Sequence, residues 1–483
     1  MNILEAIDDE RLLGSAIRDP ESWRPWRTLL AALFGLPLDS EGAGLFRQCT
    51  GRAELPSAAF GFLWLAIGRR GGKTFAMAVM AVYIAVFKDW MSSLSPGERA
   101  VVLLVAADRE QAKILRRYIS GILSSPILSQ HVESETADSI ELRGNVIVEV
   151  VTCSYRTTRG RSVCCALLDE VAFWRSEGSA SPDFEVFTAI RASMATFGDD
   201  AMMVIASSPY SRRGLLWDAH RKYYGKDDPR NLFWQAATRV MNPSVPQSFI
   251  DAEFERDAAS AAAEYGAAFR TDLEAFVSRD IIDSCIEPDC HEIGPQHSIG
   301  YVGFVDAAGG SGSDSMAMAV AHAEGEVAVL DCIRGVKPIF SPESVVADFA
   351  ETLKRYGIRR VTADRWGSEF VTEAFMRHGI VCEQSAKPKS DLYRELLPLL
   401  NSGKARLLDH PVLIAELCNL ERRTARGGRD SIDHPPSQHD DYANSCSGAL
   451  TQAVGGQRSF RRASIEAAFS ADVKPLRLEL PTW

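Results

Sequence analysis

The sequence has little positive charge, no repeated cysteine framework and no long apolar run. It carries 53 lysines and arginines against 64 aspartates and glutamates among 483 residues, a formal net charge of −11. That acidic balance argues against a simple basic protein that coats nucleic acid, although a local basic groove remains compatible with it. The ten cysteines show neither the spacing of a disulfide framework nor that of a zinc site.

Signals for membrane insertion and export are also missing. The most apolar stretch, residues 75–87, is shorter than the roughly 20 residues that a membrane span needs. The first residues have neither the basic region nor the apolar core of a secretory signal peptide. We therefore expect a soluble, reduced, intracellular protein.

The overall composition is that of a globular protein, with 46% hydrophobic and 24% charged residues, and it excludes a largely disordered chain. No internal repeat is visible, which argues against solenoids and propellers. At about 100–200 residues per domain, the length indicates two or three domains.

The first half of the chain alternates short apolar runs with helical patterns. Such near-continuous apolar runs are typical of strands in a sheet that is buried on both faces. The runs are Phe62–Ile67, Val101–Ala107, Val146–Val151, Val163–Leu168 and Met202–Ala206. Helical patterns cover Lys73–Phe87 and Arg109–Ile122. The alternation predicts an α/β domain with a largely parallel sheet over residues 1–240.

The pattern then changes twice. A breaker cluster, Asn242–Pro246, and an alanine-rich helical segment, Gln247–Phe269, predict a helical connector over residues 241–298. A second α/β domain is expected over residues 299–454 and a loosely held tail over residues 455–483. The predicted strands of this domain are Tyr301–Asp306, Glu326–Ile333 and Arg360–Asp364. Its predicted helices are Ser341–Tyr356, Phe370–Arg377, Ser390–Leu400 and Asp440–Leu450.

A phosphate-binding loop is predicted where the first apolar run ends. The loop comprises Gly68, Arg69, Arg70, Gly71, Gly72, Lys73 and Thr74. It follows a strand and opens a helix, so its backbone N–H groups can hold phosphate. Lys73 would reach the β- and γ-phosphates of ATP, and Thr74 would bind Mg²⁺. The strict pattern has glycine where Ile67 stands.

Two acidic residues complete the predicted ATP site. Asp169 and Glu170 end the buried run Val163–Leu168, at the edge where ligands bind in such sheets. Asp169 can hold Mg²⁺ directly or through water, and Glu170 can orient and deprotonate the attacking water. Arg69 or Arg70 would stabilise charge on the transferred phosphoryl group.

A metal-dependent nuclease site is predicted in the second domain. Asp306 and Asp364 end two of its strands, and Asp440 and Asp441 open its last helix. Hydrolysis of a phosphodiester by two metal ions needs several carboxylates of this kind, with Mg²⁺ or Mn²⁺ as the preferred ions. Their order along the chain fits an arrangement like that of ribonuclease H. His434 and His439 flank the last carboxylates and would position water or a ligand.

Together these motifs resemble those of the large terminase subunit of tailed bacteriophages, the motor that packages DNA into capsids. The resemblance covers roughly residues 23–450 and includes the segments 69–74, 106–112, 167–170, 207–209 and 433–441. It implies a P-loop NTPase domain followed by a ribonuclease-H-like nuclease domain. The family's adenine-binding element has glutamine where this chain has Arg27, within Trp23–Arg27.

The resemblance also assigns roles to residues. It implies that Arg69 is the arginine of a variant phosphate loop and that Ser207 and Ser208 couple ATP to DNA. It implies that Asp306, Asp364 and one of the adjacent pair bind two metals, without deciding between Asp440 and Asp441.

The implied function is ATP-driven translocation of double-stranded DNA into a procapsid, with cutting of concatemeric DNA by the nuclease. ATP and Mg²⁺ are the implied cofactors, with Mn²⁺ as a possible ion in the nuclease site. The implied partners are DNA, a small terminase subunit, the portal protein and further copies in a ring, expected to be a pentamer. The expected location is the cytoplasm of a bacterial host, without membrane association.

Two alternatives remain open at this point. One is a helicase–nuclease of DNA repair, and the other is an inactive packaging remnant of a prophage.

Contact with DNA would be local, through clusters of arginines. These are Arg156, Arg159 and Arg161, then Arg422, Arg423, Arg426 and Arg429, and finally Arg458, Arg461 and Arg462.

Overall fold

A computed structural model describes residues 1–152, 160–174, 182–310, 312, 314–364, 369–424, 430–435 and 438–455. The predicted tail beyond residue 455 lies outside the described residues, as do Arg156, Arg159, Arg426 and Arg429. The chain forms two compact units that divide between Leu273 and Glu274.

The first unit is built on an eight-stranded sheet. In chain order its strands are β1 Phe62–Ile67, β2 Ala100–Ala106, β3 Val132–Glu135, β4 Ser139–Leu142, β5 Val146–Thr152, β6 Ser162–Asp169, β7 Met202–Ser207 and β8 Asn231–Ala236. Their order in the sheet is β3-β4-β5-β2-β6-β7-β1-β8. Only the pairs β3–β4 and β4–β5 run antiparallel among these described strands. The largely parallel sheet is therefore confirmed.

Ten helices accompany this sheet in the part of the first unit that the structure describes. They are α1 Ile3–Asp8, α2 Arg24–Leu33, α3 Ser40–Thr50, α4 Lys73–Phe87, α5 Arg109–Leu123, α6 Pro182–Ser193, α7 Leu215–Tyr223, α8 Thr238–Met241, α9 Gln247–Arg256 and α10 Ala258–Glu264. The bounds of β1 and α4 are those that the sequence predicts. Both elements are buried, because α4 is apolar on nearly every side and packs into the same core as β1.

The helical segment predicted over Gln247–Phe269 is present as two helices, α9 and α10. Asp257 interrupts it with an extended backbone (φ −154°), and its side chain accepts hydrogen bonds from the N–H groups of Ala259 and Ser260. An aspartate in that position caps a new helix rather than continuing the previous one. The helical path ends at Glu264. The stretch 241–298 contributes α9 and α10 to the first unit and later elements to the second.

The second unit contains a mixed seven-stranded sheet and a small three-stranded one. The strands are β9 Leu273–Ala275, β10 Ile286–Glu287, β11 Val302–Asp306, β12 Met316–Glu324, β13 Val327–Val336, β14 Arg360–Ala363, β15 Val381–Gln384, β16 Ala405–Leu408, β17 Glu421–Thr424 and β18 Asp430–Asp433. The larger sheet has the order β10-β16-β13-β12-β11-β14-β15, and the smaller β18-β17-β9. An antiparallel β11–β12–β13 meander with β14 and β15 parallel beside β11 is a ribonuclease-H-like arrangement.

Helices pack on both faces of the larger sheet, and the sheet lies between two clusters of buried apolar residues. They are α11 Arg279–Cys285, α12 Pro342–Arg355, α13 Glu369–Arg377, α14 Lys389–Asn401, α15 Pro411–Asn419 and α16, residues 441–455. The predicted last helix is therefore present and is five residues longer than expected at its end. Among the described residues, no helix has the length and apolarity needed to cross a membrane.

Candidate nucleotide-binding and metal-binding sites

The motifs predicted for ATP meet at one edge of the first sheet. Strand β7 lies between β1 and β6, and all three run parallel. The phosphate loop follows β1. Strand β6 ends at Asp169 and is followed by Glu170, and strand β7 ends at Ser207 and is followed by Ser208. Because parallel strands end at the same edge of a sheet, these segments are neighbours there.

Lys73 is held in this site by three groups. Its side chain is only 6% exposed, which makes partners for the ammonium group necessary. Its Nζ donates to the Ile67 carbonyl at 3.0 Å and to Ser208 Oγ at 2.9 Å, and it lies 3.3 Å from Glu170 Oε1. The ammonium group is thus oriented by residues from all three strand ends.

Thr74 and Asp169 are the predicted magnesium ligands of this site, and the structure places them together. Thr74 Oγ1 donates to Asp169 Oδ2 at 3.2 Å. Asp169 Oδ1 is buried and has no hydrogen-bond partner among the described residues. Burial and the neighbouring charge of Glu170 raise the pKa of Asp169 to about 7. A divalent cation fits this position, because it would bind a free carboxylate oxygen and favour the charged form.

Glu170 is fixed by the residues that were predicted to couple ATP to DNA. It adopts a left-handed backbone conformation (φ 53°), which is uncommon for glutamate. Its Oε2 accepts hydrogen bonds from Ser207 Oγ at 2.9 Å and from the Ser208 N–H at 3.1 Å. Ser207 and Ser208 therefore contact the candidate general base and the phosphate-loop lysine, respectively.

The two loop arginines and the proposed adenine element occupy different settings. Arg69 is 64% exposed and forms a 3.2 Å ion pair with Glu264, and Arg70 has a left-handed backbone (φ 66°). Trp26 Nε1 donates to the Gly71 carbonyl at 3.1 Å. Arg27 pairs with Asp8 at 2.5 Å.

A cavity of about 1070 Å³ lies beside α2 and α3. Its lining includes Arg24, Pro25, Arg27, Thr28 and Gln48.

The predicted nuclease aspartates are brought together in the second unit. Asp306 ends β11 and Asp364 follows β14, and these strands are parallel neighbours. The Asp364 N–H donates to the Val305 carbonyl at 3.0 Å, which continues the ladder up to the site. The side chains of Asp306 and Asp364 are joined by a residue that sequence analysis did not select, Asn444.

Asn444 lies one turn into α16 and is fully buried. Its Nδ2 donates to Asp306 Oδ2 at 2.8 Å and to Asp364 Oδ2 at 3.0 Å. Its Oδ1 is buried without a hydrogen-bond partner among the described residues. The helix reaches this position because Gly448 packs on Phe304 of β11, where a Cβ would lie 2.2 Å from the ring. Only glycine permits that approach.

Asp306 and Asp441 are buried carboxylates whose pKa values lie above the ordinary value of an aspartate. Burial raises the pKa of Asp306 well above its usual value, against the lowering effect of Asn444 and with further increases from Asp441 and Asp364. Burial also raises the pKa of Asp441 to about 6, although its Oδ2 accepts a 2.7 Å hydrogen bond from the Ser315 N–H. Divalent cations would reverse both effects by neutralising the clustered charge.

Asp440 has a different environment from Asp441. Tyr393 Oη donates to Asp440 Oδ2 at 2.8 Å, and Lys389 Nζ lies 3.2 Å from the same atom. Lys389 Nζ also lies 2.7 Å from Asp433 Oδ1. Burial opposes the charged form of Lys389, but the carboxylates of Asp440 and Asp433 raise its pKa above the usual value.

The carboxylates surround a cavity of about 250 Å³. It is lined by Asp306, Asp314, Asp364, Asp440, Asp441, Lys389, His434, His439 and Asn444, among others. His439 Nδ1 lies 3.1 Å from Asp314 Oδ1. Ligand atoms of Asp433, His434 and Asp440 lie within 4.8 Å of one another, but the ammonium group of Lys389 already pairs with both Asp433 and Asp440.

The other carboxylates of the cavity include those of Asp306, Asp364 and Asp441. Together with the Asn444 Oδ1, their oxygen atoms fit Mg²⁺ or Mn²⁺.

Asn444, Lys389 and Tyr393 belong to this candidate site although the sequence does not predict them there. Asn444 stands three residues after Asp441, and this helical spacing was the one local signal for it. Lys389 and Tyr393 come from α14, about 50 residues before Asp440. Lys389 directly precedes the predicted helix Ser390–Leu400 and Tyr393 lies within it, and no sequence feature links either residue to the site.

Comparison of the sequence with protein-family models and with curated proteins gives no match. Among solved structures, the HK97 bacteriophage large terminase is 17% identical and has a TM-score of 0.39, over 89% of this chain and 100% of that one. The large terminase of a thermophilic bacteriophage in complex with ADP is 12% identical, with a TM-score of 0.35, over 81% and 93% of the two chains.

The large terminase nuclease of another thermophilic phage, G20c, with bound magnesium is 19% identical, with a TM-score of 0.32, over 37% of this chain and 99% of that one. All three TM-scores lie below 0.5. The chain is similar to large terminase structures along most of its length.

Proposed function

We propose that this protein is the large terminase subunit of a tailed bacteriophage, an ATP-driven DNA-packaging motor joined to a metal-dependent endonuclease. The observation that carries the proposal is that two separate clusters of polar and charged side chains form on one chain, each suited to a hydrolytic reaction that uses a divalent cation. Lys73, Thr74, Asp169 and Glu170 converge in the first unit. Asp306, Asp364, Asp440 and Asp441 converge in the second.

In the motor, side chains of this protein would perform three roles around the phosphates of ATP: stabilising charge, holding Mg²⁺ and activating water. Lys73 presents its ammonium group from a fixed position, and this group would stabilise the charge of the phosphates. Thr74 and Asp169 would hold Mg²⁺. Glu170 would orient the attacking water and accept its proton, because Ser207 and Ser208 fix its carboxylate.

In the nuclease, Asp306, Asp364 and Asp441 would hold the divalent ions. We assign Asp441 rather than Asp440 to this role, because Lys389 and Tyr393 already engage the carboxylate of Asp440. Bound Mg²⁺ or Mn²⁺ would supply Lewis acidity and lower the pKa of a water molecule. Lys389 lines the same cavity and would bring positive charge towards the phosphodiester, which must enter a strongly acidic site.

The motor is proposed to act on double-stranded DNA as a ring of identical chains, expected to be a pentamer, on the portal of a procapsid. A small terminase subunit would select the DNA. The reaction would take place in the cytoplasm of a bacterial host. Ser207 and Ser208 support coupling, because they contact both the phosphate-loop lysine and the candidate base.

ATP turnover and movement on DNA test the motor. Wild-type protein is expected to hydrolyse ATP faster with linear duplex DNA and to displace a third strand bound to that duplex. Lys73→Ala should lose both activities, whereas Lys113→Ala, at an exposed lysine of α5 paired with Glu110, should keep them. Wild-type protein without DNA-stimulated hydrolysis would contradict the proposal.

Plasmid cutting tests the nuclease. Wild-type protein with Mn²⁺ is expected to linearise a supercoiled plasmid, and the cutting rate of Asp364→Asn should fall by at least about 100-fold. Asp391→Asn, at a half-buried aspartate of α14 that is paired with Arg394, is the matched control. Equal cutting by the two variants would exclude the proposed metal site.

A further inference from the structure

The segment after the last motor strand contacts the phosphate loop from outside. It includes the Asn242–Pro246 breaker cluster, to which the proposed function assigns no role. Thr238 Oγ1 donates to the Arg69 carbonyl at 2.7 Å, and Asn242 Nδ2 donates to the Arg70 carbonyl at 2.9 Å. These two carbonyl groups are consecutive in the phosphate loop.

The end of α10 contacts the same loop. The Arg69 N–H donates to the Glu264 carbonyl at 2.5 Å, and the Arg69 guanidinium pairs with the Glu264 carboxylate at 3.2 Å. At Gly68, a Cβ would lie 2.4 Å from Thr238 Oγ1 and 2.6 Å from the Tyr265 carbonyl. The loop and this segment are therefore packed too closely for any larger residue at position 68.

The phosphate loop has local reasons to need outside support. Ile67 replaces the leading glycine of the strict pattern. Arg70 adopts φ 66°, a left-handed conformation that non-glycine residues rarely adopt and that persists where neighbouring groups hold it. Arg70 is the third residue of a turn that the Gly71 N–H closes on the Gly68 carbonyl at 3.0 Å, a position where a positive φ occurs in one class of turn. The amide of Asn242 anchors the carbonyl of Arg70 from outside this turn.

We propose that Thr238, Asn242 and Glu264 form a clamp that holds the phosphate loop in its nucleotide-binding conformation. They are positioning residues, since they act through the loop backbone. The inference rests on the proposed ATPase function and adds residues to it that lie outside the phosphate-loop, acidic and serine motifs. A loop that is competent only part of the time binds with an apparent affinity reduced by that fraction. Loss of the clamp should therefore weaken ATP binding more than it slows chemistry.

Thr238→Val and Asn242→Ala test the clamp in the full-length protein. The valine keeps the shape of Thr238 but removes its hydroxyl, and Thr238→Ser restores one. The matched control is Thr50→Val, because Thr50 is also fully buried and its hydroxyl donates to a backbone carbonyl, that of Phe46, at 2.7 Å. The measurements are the Kd for Mg-ATP by titration calorimetry, KM and kcat for ATP hydrolysis, and Tm without nucleotide.

We expect Kd and KM to rise about tenfold in Thr238→Val and Asn242→Ala, the change that about 1.4 kcal/mol produces. We expect kcat to stay within about threefold, because Lys73 and Glu170 keep their own contacts. Thr238→Ser should recover most of the affinity, and Thr50→Val should bind ATP like wild type. If Thr238→Val does not fold, the same measurements on Asn242→Ala test the clamp, because Asn242 is only half-buried.

Wild-type affinity in folded Thr238→Val and Asn242→Ala would overturn the clamp. An equal loss of affinity in Thr50→Val would also overturn it, because the effect would then follow from any buried hydroxyl. Failure of wild-type protein to bind Mg-ATP at all would refute the proposed ATPase function, and the clamp with it.

Discussion

Asp441→Asn is expected to stabilise the metal-free protein at neutral pH and to abolish DNA cutting. Asp441 is 7% exposed, and the Ser315 N–H donates to its Oδ2 at 2.7 Å. An asparagine keeps an oxygen acceptor for that N–H but cannot ionise. The substitution therefore removes a buried charge while leaving the local hydrogen bond possible.

The size of the effect follows from the pKa of Asp441, which burial raises from 3.8 to about 6. The folded state thus binds this proton more tightly than the unfolded state. The resulting stability is fully present below pH 3.8 and is lost as the pH rises through about 6. A rise of about two pKa units corresponds to roughly 3 kcal/mol of unfolding free energy.

Urea denaturation with a chelator at pH 4 and pH 7.5 measures this difference. Relative to wild type, Asp441→Asn should gain up to about 3 kcal/mol between the two pH values. The control variant Asp391→Asn should show no such gain. Saturating Mg²⁺ should stabilise wild type more than Asp441→Asn. If the unfolding free energies of Asp441→Asn and wild type differ by the same amount at both pH values, the reasoning is refuted.

Three further variants probe separate contacts. Ser208→Ala removes a 2.9 Å hydrogen bond to the phosphate-loop lysine and should raise the KM for ATP about three- to tenfold in steady-state assays; an unchanged KM would contradict this role. Asn444→Leu should weaken Mn²⁺ binding about 10- to 100-fold by calorimetry, whereas Ser447→Ala, buried on the same helix and bonded to its backbone, should not. Gly448→Val would place a Cβ 2.2 Å from Phe304 and should lower the unfolding free energy in urea by about 1–3 kcal/mol; wild-type stability would show that the helix can shift.

The candidate nucleotide-binding site was predictable because its signals are local. A buried apolar strand, a glycine-rich loop and an apolar helix follow one another at positions 62–87, and their boundaries match the structure. Asp169 and Glu170 were found in the same way, at the end of another apolar strand. Parallel pairing then brings these strand ends together without further information from the sequence.

Other elements depend on distant contacts or on residues with weak preferences. Strand β12 was missed because it is rich in alanine, which is depleted in strands, and it is stabilised by pairing with β11 and β13. Lys389 and Asn444 reach the metal site from separate helices, so their roles depend on how α14 and α16 pack. The clamp on the phosphate loop joins residues about 170 positions apart.

The most direct measurement of the central claim compares ATP hydrolysis and DNA cutting in three preparations: wild type, Glu170→Gln and Asp306→Asn. All three are assayed with the same DNA, Mg²⁺ and Mn²⁺. Glu170→Gln should lose at least about 100-fold in ATP hydrolysis and still cut DNA. Asp306→Asn should hydrolyse ATP at the wild-type rate and fail to cut. Loss of both activities in either variant, with the protein folded, would contradict two separate hydrolytic sites on one chain.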